Sequence, residues 1–149
     1  VLESPVLTNG MYTRMLETIG EQVAVIDCTF PADAGGSPGI ALRDAIARIR
    51  EEARVAVSSG RGHIILTDEG QSATRAGIPM ILAAGAVHSW LVNHGLRTFC
   101  SITVRSAECV DTHYFAVLVG VGATCVNAYM AQETLADRHA LARRRHAKP

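Results

Sequence analysis

The feature that most constrains the fold of this chain is a repeated order of elements. A helical stretch ends at a glycine, and a short apolar run rich in β-branched residues follows it. The four runs are Val23–Cys28 after Gly20, His63–Asp68 after Gly60 and Gly62, Arg97–Val104 after Gly95, and Ala123–Ala128 after Gly122. A glycine just past a helix end adopts the left-handed conformation that other residues resist. Near-continuous apolar runs are typical of parallel strands covered on both faces.

The segments between these runs have helical periodicity. The clearest helix begins at Ser37, which we expect to cap it, with Pro38 at the first helical position. Its apolar stripe consists of Leu42, Ala45, Ile46, Ile49, Ala53 and Ala56. A second, largely buried helix is predicted for Met80–Asn93, where Gly85 would permit close packing. Further helices are predicted at about Asn9–Thr18, at about Asp111–Val119 and from Tyr129 onward.

Alternating strands and helices predict an α/β fold with a parallel sheet of about four βα units and right-handed crossovers. Such a sheet resembles part of a (βα) barrel or an open doubly wound sheet. We expect residues 1–137 to form a single α/β domain, and residues 138–149 to form a basic helix end or tail.

Composition narrows the classes of function. Of 149 residues, 48% are hydrophobic, which suffices for a core, and 14 basic residues balance 14 acidic ones. This balance argues against nucleic acid or an anionic membrane as a partner. The apolar runs Ile78–Val92 and Ala116–Met130 are short for a membrane span and contain polar residues. Four cysteines without a Cys-x-x-Cys pair indicate reduced, mostly buried thiols in a cytoplasmic protein.

The segment Gly120-Val121-Gly122 invites a nucleotide-binding interpretation. A dinucleotide-binding loop follows a strand and opens a helix. Here the two glycines follow a predicted helix and precede a predicted strand, so we interpret them as a helix stop.

Polar residues follow all four predicted strands, where ligands gather in parallel sheets. They are Asp27 and Thr29; Thr67, Asp68 and Glu69; Arg105, Ser106 and Glu108; and Asn127 and Tyr129. These residue types also cap helices and satisfy exposed backbone groups, so a small-molecule site and a purely structural cluster are both open.

Other residues suggest weaker alternatives. Ser37 lies in a Gly-x-Ser-x-Gly sequence, but a nucleophile elbow follows a strand directly, and here Thr29–Ala34 intervenes. His88 and His94 are six residues apart and would not share a helix face, which disfavours a metal site. His113 is expected to be a structural histidine near a helix start. The basic C-terminal sequence could contact an acidic partner or be a solvated helix end.

Several phrases, in the same order and with similar gaps, resemble the central domain of the large subunit of bacterial glutamate synthase. They are SPVLTN, VIDCTFP, IILTDEG, IPMILAAGAVHSWLVNHGLRT, ITVRSAE and HYFAVLVGVGATCVNAYMAQETL, which together span about Pro5–Leu135. The resemblance is to the latter part of that domain, before the FMN-binding barrel. Family members often have Ser-Asp-Arg where this chain has Thr67-Asp68-Glu69, and a histidine cluster where it has His88-Ser89-Trp90. Any role of an arginine after Asp68, or of a histidine cluster, is therefore not expected in this chain.

The resemblance implies a parent oxidoreductase that makes two glutamates from glutamine, 2-oxoglutarate and reductant. It implies an amidotransferase domain with an N-terminal cysteine nucleophile, an FMN barrel with an iron–sulfur cluster, and internal passage of ammonia. It also implies a small subunit or ferredoxin as the electron donor. Val1 is not cysteine, and no cysteine trio has cluster-like spacing, so no catalytic, cofactor-binding or metal-binding residue is carried over to this chain.

Three hypotheses follow. The first is a scaffold segment of glutamate synthase that does no catalysis by itself. The alternative is a free-standing α/β domain that binds a small metabolite at its strand ends. The third is an independent enzyme that works through Asp68, Arg105 and His113.

Overall fold

The computed structural model describes residues 4–32 and 37–146. Helices and strands alternate along these residues, with one short antiparallel strand pair in addition. The elements are α1 (Asn9–Ile19), β1 (Val23–Asp27), β2 (Thr29–Pro31), α2 (Pro38–Ser58), β3 (His63–Thr67), β4 (Arg75–Gly77), α3 (Met80–Asn93), β5 (Ser101–Arg105), α4 (Thr112–Gly120), β6 (Cys125–Asn127) and α5 (Tyr129–His146).

The main sheet has the order β1-β3-β5-β6, and every neighbouring pair is parallel. The predicted α/β fold is therefore confirmed. The order advances in one direction along the chain, so right-handed crossovers place α2, α3 and α4 side by side on one face, where α2 contacts α3 and α3 contacts α4. This is the arrangement of part of a (βα) barrel, whereas a doubly wound sheet reverses its strand order.

The core lies between the sheet and the α2–α4 layer. Alternate strand residues point into it and are buried, among them Ile26, Ile64, Leu66, Ile102, Val104 and Val126. They meet buried side chains such as Ile49 of α2 and Val87 of α3. Each buried Val, Leu or Ile side chain contributes about 1.5–3 kcal/mol to folding. The opposite face of the sheet carries Tyr12 of α1 above Arg105 of β5.

The helices and the cysteines bear on the predictions about membrane spans and thiols. Within residues 4–32 and 37–146, each helix lacks either the length or the apolar character that a bilayer crossing requires. All four cysteines are free thiols, as predicted. Burial raises the pKa of Cys28 to about 12, so this thiol stays protonated near neutral pH.

The predicted third strand begins too early. Arg97–Phe99 forms a single 3-10 turn, in which the Phe99 N–H donates to the carbonyl of Leu96 at 3.1 Å, and β5 starts only at Ser101. The side chain of Arg97 accompanies this turn. It donates to the carbonyls of Cys100 at 2.7 Å and Gly122 at 2.9 Å.

The antiparallel pair of β2 and β4, in which Thr29 lies opposite Gly77, was not predicted. Each strand has three residues, too few for a period to be recognised. One smaller expectation was also wrong. Ser37 lies at the N-cap of α2 but makes no side-chain capping bond. At Gly85, a Cβ would lie 3.7 Å from Cβ of Val121, an ordinary contact, so α3 lies close to Val121 here although glycine is not required.

The interpretation of Gly120-Val121-Gly122 as a helix stop is confirmed. The N–H of Gly122 donates to Val119 at 3.1 Å, and the N–H of Ala123 donates to Leu118 at 3.0 Å, so these groups end α4. Gly122 has a φ of 117°, and a Cβ built on it would lie 2.3 Å from Nδ1 of His88. Both the backbone conformation and the space require glycine at this position.

The C-terminal helix α5 runs from Tyr129 to His146, and its residues from Glu133 to Arg144 are exposed. The division of the chain after residue 137 stays a prediction, as does the interpretation of residues 138–149 as a tail. Residues 147–149 lie outside the described part of the chain.

We expect Gly122→Ala to lower the free energy of unfolding by at least about 1–3 kcal/mol, because it adds both backbone strain and a collision with His88. Gly120→Ala is the matched control. Gly120 does not have a positive φ and has nothing within 4 Å of a built Cβ, so its effect should stay within about 0.5 kcal/mol. Urea denaturation of both variants measures this difference, and equal effects would contradict the structural interpretation of Gly122.

Candidate functional site at the carboxyl ends of the strands

The register of the sheet brings one polar residue from each strand into a single row. Asp27 lies opposite Thr67, Thr67 opposite Arg105, and Arg105 opposite Asn127. We call these four residues the polar row. It lies at the carboxyl end of the sheet, and its side chains share one face because residues in register on neighbouring strands point the same way.

Arg105 is the centre of the polar row. Its side chain is only 12% exposed. Nη2 donates to Oε1 of Glu69 at 2.7 Å, and Nη1 donates to Oδ1 of Asn127. Nε lies 2.7 Å from Oε2 of Glu69, close enough for an ion pair but off the line of a hydrogen bond. The hydrogen bond from Arg105 lowers the pKa of Glu69, so the pair is ionised at neutral pH.

Two aromatic rings enclose the same guanidinium group. Its carbon lies 4.5 Å from the ring centre of Tyr12 and 4.7 Å from that of Tyr129. Tyr12 belongs to α1 and Tyr129 begins α5, so one cation links both of these helices to the sheet. Cation–π contacts of this kind contribute about 0.5–2 kcal/mol each, with the higher value for desolvated groups.

Asp68, directly after β3, is fully buried. Its carboxylate accepts the N–H of Ala107 at 2.9 and 3.0 Å and the hydroxyl of Ser106 at 3.3 Å, so it fixes the loop after β5. Burial raises its pKa, and the hydrogen bonds from Ala107, Tyr129 and Ser106 oppose that rise. A carboxylate with these partners is a structural anchor rather than a base open to substrate.

Asn127 connects β6 to the start of the chain. Its amide nitrogen donates to the carbonyl of Leu7 and to the side-chain oxygen of Asn9, both at 2.9 Å. Gln132 of α5 completes this connection. It accepts the N–H of Asn9 at 2.8 Å and donates to the Leu7 carbonyl at 3.1 Å.

Glu108 caps a helix that is distant in the sequence. Its Oε2 accepts the N–H of Met80 at 2.9 Å and the hydroxyl of Tyr114. Pro79, the N-cap of α3, makes no side-chain capping bond. Glu108 therefore supplies the acceptor and the negative charge that the start of α3 needs, and it ties α3 to α4.

Asp27 forms a second, more exposed cluster at the end of β1. Its carboxylate accepts the N–H and the hydroxyl of Thr29, both at 3.0 Å, and pairs with Arg75 at 2.9 Å. Arg75 also donates to the Thr29 hydroxyl at 2.8 Å. This half-exposed ion pair contributes about 0–1 kcal/mol; its effect is to hold β2 and β4 against the main sheet.

A surface groove of about 940 Å³ lies beside this cluster, between α2 and β2. Ser37 lines it together with Arg48, Arg75 and Asp44, and none of its described lining residues is a histidine. The predicted Gly-x-Ser-x-Gly elbow cannot be traced fully, because Gly35 and Gly36 lie outside the described residues. Ser37 itself is the N-cap residue of α2.

The histidines are dispersed. Nδ1 of His88 accepts a hydrogen bond from Nε of Arg97 at 3.0 Å, and Nδ1 of His94 lies 2.7 Å from the carbonyl of Trp90. His113 is exposed in the first turn of α4. Among the described residues, no hydrogen bond or ion pair joins His113 to Asp68 or Arg105, so the third hypothesis has no assembled triad.

The cofactors implied by the resemblance do not fit the described residues. Residues 4–32 and 37–146 contain no group of three or more His, Cys, Asp or Glu side chains that could hold a metal ion. The four cysteines lie on or beside four different strands and helices. The N–H groups of Gly122 and Ala123 are used to end α4, so they are not free for a flavin phosphate.

Comparison with known proteins identifies one family, the glutamate synthases. The family model of the glutamate synthase central domain matches residues 1–148. The large chain of an NADPH glutamate synthase from Azospirillum brasilense is 57% identical over 138 residues, covering 93% of this chain and 9% of that protein. A chloroplastic ferredoxin-dependent glutamate synthase from Oryza sativa subsp. japonica is 37% identical, covering 89% and 8%. The large chain from Bacillus subtilis is 33% identical, covering 89% and 8%. The chain thus spans less than a tenth of the length of these relatives.

We expect Arg105→Met to lower the free energy of unfolding by about 2–4 kcal/mol, because it leaves Glu69 without its cation and removes both ring contacts. Methionine keeps an unbranched stem of similar length. Arg54→Met is the control, since among the described residues Arg54 pairs only with Glu51 on the surface of α2, and its cost should stay below about 0.5 kcal/mol. Chemical denaturation measures both, and a small loss for Arg105→Met would contradict the central role of this residue.

Asp68 should make stability depend on pH in a defined direction. Its pKa in the folded state lies above the value in the unfolded chain, so the folded state holds the proton more tightly and stability falls as pH rises from about 4. In Asp68→Asn this contribution is absent. The stability of the wild type minus that of Asp68→Asn should therefore decrease between about pH 4 and pH 7. Urea titrations across this range test it, and an increasing difference would refute the burial argument.

Proposed function

Because this chain belongs to the family of glutamate synthase central domains, we propose that it is a structural segment of a glutamate synthase large chain. In this proposal the parent enzyme is a cytoplasmic oxidoreductase of glutamate biosynthesis. It moves the amide nitrogen of glutamine to 2-oxoglutarate and yields two glutamates. The segment does no catalysis itself. It holds the amidotransferase and FMN-binding domains at a fixed separation and helps to keep the passage of ammonia closed to water.

The observation that carries this proposal is the mutual pairing of the polar row. A site for substrate needs polar groups with free hydrogen-bonding capacity. Here the guanidinium of Arg105 is bound by Glu69 and Asn127 and enclosed by two rings, and the carboxylate of Asp68 is fully buried. The chemistry-bearing groups at the strand ends are used to hold the structure together.

The same contacts favour a rigid body. Arg105 joins β3, β5, β6, α1 and α5 through neighbours that lie far apart in sequence. Networks of buried hydrogen bonds and ion pairs restrict the geometries that a core can adopt. A support that keeps distant active sites in register needs this property, since an error of about 1 Å in a supporting element is enough to impair a site.

The proposed partners are the other domains of the same polypeptide. In the parent enzyme a small subunit or ferredoxin would donate electrons, and FMN and an iron–sulfur cluster would lie in the FMN-binding domain. Large side chains stand exposed on several sides of this chain, among them Phe99, Val110 and Leu135 at 67–70% exposure. Apolar groups of this size are suited to contact with neighbouring domains.

The proposal predicts a coupling defect. In a full-length large chain that carries this segment, Arg105→Met should loosen the support while leaving the catalytic domains intact. Glutamine would still be hydrolysed, but part of the ammonia would escape, so glutamate formed per glutamine consumed should fall below two. The ratio is measured with all substrates present, together with free ammonia in the medium.

Arg54→Met in the same large chain is the control, and its ratio should equal that of the wild type. An unchanged ratio in Arg105→Met, in a protein with a lowered melting temperature, would contradict the proposal. Stabilisation of the 149-residue chain by a small metabolite at concentrations well above its dissociation constant would instead favour the alternative of a metabolite-binding domain.

A further inference from the structure

The two edges of the main sheet differ in how they are covered. At the β6 edge the N-terminal segment runs alongside the strand: the N–H of Leu7 donates to Val126 at 2.9 Å, and the N–H of Val126 donates to Pro5 at 2.8 Å. At the other end, β1 pairs only with β3 among the described strands. An open edge of a sheet is a template for a further strand, from the same or another chain.

Alternation along β1 shows which backbone groups face this open edge. The N–H of Cys28 donates to the carbonyl of Thr67, so the backbone groups of Cys28, Ile26 and Ala24 point toward β3. In a parallel strand the intervening residues point their groups the other way. The edge therefore presents the backbone of Val23, Val25 and Asp27.

Two arginines occupy the outer two of these three positions. Nη1 of Arg61, just after α2, donates to the carbonyl of Val23 at 2.6 Å. Nη2 of Arg48, in α2, donates to the carbonyl of Asp27 at 2.8 Å and to that of Thr29 at 3.0 Å. These carbonyls would have to accept N–H groups of an added strand, but each already accepts a charged donor.

Within the described part of the chain, no bond to the outward backbone groups of the middle residue, Val25, is found. Val25 is 57% exposed, and a groove of about 560 Å³ lies along α2 between the two arginines. Glu51, Glu52 and Val55 of α2 line this groove. Arg48 is held in place by Glu52, whose Oε1 lies 2.9 Å from Nη1.

We propose that Arg48 and Arg61 close the β1 edge against the addition of another strand. Between the two carbonyls that bond to arginine, only one backbone position is left for an added strand. A single position is too short for a stable β-ladder. Without the two arginines, the edge would expose the outward backbone groups of Val23, Val25 and Asp27. A second copy of this chain is the strand donor that would then be present at the highest concentration.

The test compares self-association of the 149-residue chain and its variants. Arg48→Met together with Arg61→Met removes both sets of donors and keeps unbranched stems. Arg54→Met is the control, because Arg54 pairs with Glu51 on the same helix and not with β1. We expect sedimentation equilibrium to show association of the double variant about tenfold or more stronger than that of the control.

Val25→Lys in the double variant distinguishes edge pairing from other association. Val25 is exposed, and a lysine there restores a charge in the middle of the edge, so the triple variant should return to the association of the control. If Arg48→Met prevents folding, Arg61→Met alone is used, since among the described residues the exposed Arg61 side chain bonds only to Val23. Association equal to that of Arg54→Met, or association that Val25→Lys does not reverse, would overturn the proposal.

Discussion

A largely buried guanidinium group requires an opposite charge and hydrogen-bond acceptors, and the residues around Arg105 supply both. The penalty for an unpaired buried cation is several kcal/mol, a large fraction of the stability of a domain of this size. Glu69 and Asn127 accept hydrogen bonds from the guanidinium group, and the rings of Tyr12 and Tyr129 contact it. Helices α1 and α5 each contribute one ring to the same cation. The sheet register matters too, since a shift of one residue would turn Arg105 into the helix layer.

The geometry of the sheet brings these polar groups within reach of one another. In doubly wound sheets, ligands bind where the strand order reverses and the helices on either side of that point diverge. The order β1-β3-β5-β6 has no reversal, so neighbouring loops at the carboxyl pole stay close to each other. Asp68 can then reach the backbone of Ala107, and Glu108 can reach the start of α3. These two strand-end residues therefore bond to neighbouring loops and helices.

Local sequence predicted several helices and turns, but it did not predict which distant residues contact each other. Helix α3 begins and ends where the periodicity predicted, at Met80 and Asn93, and the left-handed Gly122 follows α4 as expected. These features depend on neighbours along the chain. The segment that begins at Arg97 was predicted as strand but forms a 3-10 turn, where the Arg97 side chain bonds locally to Cys100 and, across 25 residues, to Gly122. At the strand ends, Asp68, Arg105 and Glu108 were recognised as candidates, whereas Tyr12, Asn9 and Gln132 were missed. Their contacts span more than a hundred residues in two cases, and no short-range pattern encodes such a separation.

The way the sheet is covered also limits how this chain can meet its neighbours. One face of the sheet packs against α2, α3 and α4, and Tyr12 of α1 lies on the other. The N-terminal segment covers the β6 edge, and two arginines cap carbonyls along the β1 edge. Backbone pairing would merge this sheet with that of another domain, and the two would then deform as one. Contact through side chains such as Phe99 and Val110 keeps each sheet separate. A support of the kind proposed here needs that separation, because it can then keep its own geometry while the domains attached to it bind substrate and release product.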